Sequence, residues 1–81
     1  MKNFKCYTIS ILGFPTEECP YEIPHTIGAF RNYKQAKKYF DILVNEIKQN
    51  TFTSIFPYDA ITIFGWGKNG TVGFVLDEYQ K

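Results

Sequence analysis

Apolar and polar residues alternate most sharply near the two ends of the chain. Between Phe4 and Leu12, Tyr7, Ile9 and Ile11 fall on one side, while Cys6, Thr8 and Ser10 fall on the other. A period of two predicts a half-buried strand with a clear inner face. Gly13 and Pro15 end it, and Pro20 and Pro24 then punctuate an irregular stretch. His25 to Phe30 fits a short edge strand.

From Tyr33 onward the period changes. Tyr33, Ala36, Phe40, Leu43 and Ile47 recur at spacings of three and four, with Val44 on the same flank. This spacing predicts an amphipathic helix from Asn32 to about Asn50. Asn32 suits the N-cap, with Gln35 three residues on, and Asn50 suits a left-handed closure. Ile42 breaks the stripe and points away from it. The connector 51–59 carries Phe52, Ile55, Phe56 and Pro57.

Ala60 to Tyr79 reads as a hairpin. Asn69-Gly70 is a strong signal for a two-residue turn, because both central positions need positive φ. Counting outward pairs Trp66 with Gly73, Gly65 with Phe74, Phe64 with Val75, Ile63 with Leu76 and Thr62 with Asp77. Ile61, Ile63, Val72, Phe74 and Leu76 then share one face, and Thr62, Phe64, Trp66, Val75 and Tyr79 the other. One helix covers one face of a small sheet. The expected fold is therefore α+β: an antiparallel sheet of three or four strands with one helix on one face, in the order β-(β)-α-β-β. The 81 residues make one domain, 1–81.

Composition adds one pressure. Eight Phe, six Tyr and one Trp are many aromatics for such a short chain. They either fill a small core or make a surface that binds. The net charge is +1, so no global field draws the chain to nucleic acid or an anionic membrane. Locally, Glu17, Glu18 and Glu22 make one loop acidic, and Arg31, Lys34, Lys37 and Lys38 make the next stretch basic. Cys6 and Cys19 lack metal-ligand spacing and are expected as free thiols. The N-terminal run is too short and too alternating for a leader or a membrane span, so a cytoplasmic protein is the expectation.

Motifs for chemistry are weak. Gly65 to Val72 matches the spacing G-x-G-x-x-G-x-V of a kinase glycine-rich hairpin. The few residues that follow cannot supply the lysine strand and metal-binding loops that such a site needs. A dinucleotide site needs a helix after the glycines, and here a strand follows. Asn69-Gly70-Thr71 also fits a glycosylation acceptor, but serves better as the turn. His25 is the sole histidine, and no Ser or Cys stands at a sequence spacing that would mark it as a catalytic base; Cys19 could meet it in space, but spacing does not require it. No catalytic residue, metal ligand or cofactor is expected.

What remains is surplus apolar surface on the second sheet face. It points to a small non-catalytic protein-binding module, an adaptor or inhibitor, with Trp66, Phe64 and Tyr79 as contacts and Ile42 as a second point. The partner is then another protein or a second copy of the chain. Usage rich in Lys, Asn and Ile and poor in Arg and Ala fits a phage or mobile-element source. Two alternatives stand beside this reading. Arg31, Lys34, Lys37 and Lys38, or the aromatic face, would serve a nucleic-acid binder. An accessory subunit of an enzyme would complete another chain's site. If the loop 13–24 or the segment 51–59 folds over the second face, the aromatics there belong to the core instead.

Overall fold

The computed structural model describes residues 4–14, 16–54, 57–67 and 73–81. Among the described residues, four strands and one helix follow in the order β1 (Cys6–Gly13), β2 (Ile23–Phe30), α1 (Tyr33–Lys48), β3 (Tyr58–Trp66) and β4 (Gly73–Gln80). The strands form one antiparallel sheet in the order β2-β1-β3-β4. Both β2 and β3 are antiparallel to β1, so they run parallel to each other with β1 between them. The helix connects them across one face. The expected α+β fold is the one observed.

The helix begins and ends where its caps dictate. Asn32 is extended, and its side chain accepts from the Gln35 amide at 2.9 Å. At the other end Asn50 adopts φ 64°, the left-handed region. The Asn50 amide bonds the Ile47 carbonyl and the Thr51 amide bonds the Glu46 carbonyl. These two bonds satisfy carbonyls that the helix leaves open. Ala36, Phe40 and Leu43 are buried, with Val44 and Ile47 packed beside them. Ile42 is 48% exposed, off the stripe as its spacing requires.

Under the helix lie Ile9 and Ile11 of β1 and Ile61 and Ile63 of β3, all buried. These four are the centre of the core. Gly65 extends it. A Cβ there would lie 2.9 Å from both Phe4 Cγ and Leu76 Cδ1, so the missing side chain admits both neighbours. Phe4 in turn meets Phe74 at 5.8 Å and Tyr7 at 5.9 Å, and Tyr7 meets Tyr33 at 6.0 Å. Beyond the helix start the core thus continues as an aromatic row. Elsewhere Phe30 meets Tyr39, and Phe52 meets Tyr58. Most of the described aromatics therefore serve the helix side of the sheet.

Between β1 and β2 the register shifts by one residue at Ile9/Ser10, and three further details depart from the expected elements. β2 starts at Ile23 and includes Pro24, which an edge strand tolerates because one side of its backbone is unpaired. β3 starts at Tyr58, with an irregularity beside Gly13. The third has the largest effect. Trp66 pairs with Gly73, Gly65 with Phe74 and Phe64 with Val75, as counted from the turn. Then a bulge intervenes: Ile63 pairs with Asp77 instead of Leu76, Thr62 with Glu78 instead of Asp77, and Ile61 with Tyr79. One extra residue reverses the facing of everything beyond it. The Asn69-Gly70 turn itself lies outside the described residues, as do Pro15, Ile55 and Phe56. Both cysteines are free thiols. Among the described residues, no helix is long and apolar enough to cross a membrane.

Candidate interaction face

The helix packs on the face of Ile9, Ile11, Ile61 and Ile63, so the alternate residues line the other side. From β1 these are Cys6, Thr8, Ser10 and Leu12, and from β3 Trp66, Phe64, Thr62 and Ala60, paired in that order. From β4 they are Gly73, Val75, Glu78 and Gln80. β2 adds Ala29, Thr26 and Pro24.

Trp66 and Phe64 lie together on this outer face, their ring centroids 6.0 Å apart. Both are half-buried. The indole lies flat over Gly73: a Cβ at that position would stand 3.0 Å from its Cη2 atom. Its Nε1 donates to Thr8 Oγ1 at 2.7 Å. One glycine and one hydroxyl thus set the ring's position. Val75 stands beside them, 59% exposed.

The middle of the face is small and polar. Ser10 is 2% exposed and Thr62 fully buried. Ser10 shares a hydrogen bond with Thr26 at 3.3 Å, and Thr62 donates to Glu78 at 3.4 Å. These partners make burial of the two hydroxyls tolerable.

The two ends of the face differ in charge. At the Cys6 end, Lys5 and Arg31 line a depression with Cys6, Ala29 and Phe30. At the Leu12 end there is a concavity of about 490 Å³, lined by Leu12, Ala60, Tyr58 and the carboxylates of Glu22, Asp59 and Glu78. Lys81 is the cation there, and its ammonium sits over the Tyr58 ring at 4.7 Å. Burial, with a smaller contribution from Tyr79, raises the Tyr58 phenol above its ordinary range. The loop before β2 remains in water along most of its own length, with Tyr21 76% exposed.

The residues expected to make contacts do not all converge. Trp66 and Phe64 do. Tyr79 does not: the bulge turns it to the helix side, where it packs on the core beside Ile61 with the Lys48 ammonium 5.6 Å from its ring. Unbroken alternation would have placed Glu78 opposite Ile61, a carboxylate against the apolar core. That conflict was the readable sign of a bulge. Ile42 is exposed, but on the helix, across the sheet from Trp66.

The basic set also divides. Lys34 and Lys38 are exposed on the helix and Arg31 precedes it. Lys37 instead bridges to the sheet. It pairs with Asp77 and, at 3.2 Å, with Asp41. Its hydrogen bond to Asp77 raises the ammonium above its ordinary value, and the same bond lowers the Asp77 carboxyl. Lys37 is thus committed to an internal pair. Among the described residues, no three His, Cys, Asp or Glu side chains gather as metal ligands would. No family model, curated protein or solved structure matches this chain significantly.

Proposed function

We propose that this chain is a non-catalytic protein-binding module whose contact surface is the outer face of the sheet, with Trp66 and Phe64 as its anchors. The observation that carries this reading is the position of Trp66. It lies on the face away from the helix, half-buried, held by Thr8 and Gly73. A large aromatic fixed in one rotamer loses little entropy on binding, and such residues dominate interface energetics. Supporting it, most other described aromatics have partners on the helix side, so the outer pair is not needed to fill the core.

The test uses the sole Trp as its own probe. In the monomer, at the highest practical dilution, acrylamide should quench Trp66 fluorescence. Trp66→Ala should keep the circular dichroism of the native chain and weaken protein association by about 2 kcal/mol or more. An indole shielded from quencher in the monomer, together with unfolding of Trp66→Ala, would make it a core residue and end this reading.

A further inference from the structure

The outer face has a bulky end and a hollow end, and they carry opposite charge. Lys5 and Arg31 flank the end that bears Trp66. Glu22, Asp59 and Glu78 outnumber Lys81 around the concavity at the other end, where the residue of β3 paired with Leu12 is Ala60, with only a methyl for a side chain. Cys6 and Leu12 mark the two ends along β1, about 20 Å apart at strand rise. We propose that this face binds a second copy of the same chain, about a two-fold axis that crosses the strands between Thr8 and Ser10. The proposal rests on the reading that the face is a protein contact, and it names the occupant.

Two in-plane axes would join the face to itself. An axis along the strands sets each end on its own kind, with Lys5 and Arg31 against Lys5 and Arg31, and carboxylates against carboxylates. Like charges brought together in this way are costly. An axis across the strands sets each end on its opposite. The Lys5–Arg31 end of one copy then meets the Glu22–Asp59 end of the other, twice, as an isologous interface requires. The same rotation brings the row of Cys6 and Trp66 over the partner's row of Leu12 and Ala60. The indole enters the hollow where the facing strand has its smallest side chain. Charge and shape therefore select one axis.

Size and net charge agree. The molecule is a plate with extents of 36 × 29 × 16 Å. A broad face of that outline projects on the order of 1,000 Å², against the roughly 800 Å² per partner of a standard interface. The net charge of +1 leaves almost no overall repulsion between copies.

The experiment is a charge exchange followed by sedimentation equilibrium. One variant carries Lys5→Glu with Arg31→Glu, the other Glu22→Lys with Asp59→Lys. All four positions are exposed, so both variants should fold, with circular dichroism as the check. The wild-type chain should be a dimer that weakens in high salt and whose Trp66 emission moves to the red on dilution. Each variant alone should be monomeric. Mixed in equal amounts, they should form a dimer of one copy each, because every acidic end again meets a basic one. A wild-type chain that is monomeric at all concentrations overturns the proposal, as does a dimer indifferent to both salt and charge reversal. A monomer whose Trp66 is open to quencher, and whose Trp66→Ala variant folds, overturns only the second copy and leaves the protein-binding reading in place. A different protein that docks on a monomeric wild-type chain through Trp66 has the same meaning.

Discussion

Trp66 and Thr8 are joined across two neighbouring strands by a hydrogen bond from Nε1 to Oγ1 of 2.7 Å. They are not direct register partners, since Trp66 pairs with Cys6 and Thr8 with Phe64. The bond runs diagonally and turns the indole along the sheet, over Gly73. Thr8→Val keeps the shape of the side chain and removes the acceptor. The fold should persist, with a loss of about 0.5–1.5 kcal/mol, the usual net value of such a bond. Thermal melting measures that loss. Broadened Trp66 fluorescence lifetimes should accompany it as the ring gains freedom.

Gly73 tests the same ring from below. Its hypothetical Cβ lies 3.0–3.1 Å from three indole carbons, tighter than ordinary contact. Gly73→Ala asks the ring to move by only tenths of an ångström. Gly73→Val should push it off the sheet, costing about 1–3 kcal/mol by overpacking. The expected readout is a red-shifted emission and stronger acrylamide quenching in the valine variant than in the alanine one. Equal spectra for the two would show that the ring does not depend on this glycine.

The helix offers a paired comparison. Leu43 is 5% exposed and faces the isoleucine core, while its neighbour Ile42 lies outside the stripe. Leu43→Ala should cost about 2–5 kcal/mol. In a domain this small that is a large share of total stability, so the variant should melt far lower or not fold. Ile42→Ala should stay within about 0.5 kcal/mol of wild type. Urea denaturation of the two variants separates the outcomes.

Lys37 and Asp77 link the helix to β4, and their contribution depends on pH. Asp77 titrates below its ordinary 3.8 in the folded chain, because Lys37 hydrogen-bonds its charged form. Its stabilisation is complete above 3.8 and is lost as pH falls through the lower folded value. Lys37 titrates above its ordinary 10.5, so its share is complete below 10.5 and is lost as pH rises through the higher folded value. Both side chains keep about a third of their surface in water. The pair is therefore worth about 1 kcal/mol or less. Asp77→Asn should lower the melting temperature slightly at neutral pH. The gap to wild type should close in strong acid, where wild-type Asp77 is protonated too. A gap that stays constant down to the acid limit would show that the ion pair contributes nothing.

Local chemistry alone determined much of this protein. Period-two residues made the first strand, period-three-and-four residues made the helix, and Asn32 and Asn50 placed its ends. Near the turn, pairing counted outward from Asn69-Gly70 matched the observed partners as far as Phe64 and Val75. These features depend on residues close together in the chain, where backbone geometry and capping act without knowledge of the rest. The facing of Tyr79 and Asp77 depended on the whole fold. Only when the helix lies on the sheet does a core exist that excludes the Glu78 carboxylate, accepts Tyr79 beside Ile61 and sets Lys37 within reach of Asp77. The bulge opposite Ile63 reconciles the turn's register with that core. Strand order was decided in the same way, because β1 gains partners on both edges only after the helix has carried the chain from β2 across to β3. A side chain's facing reverses with a shift of one residue, so a choice made by packing far along the chain outweighs the alternation that predicts it.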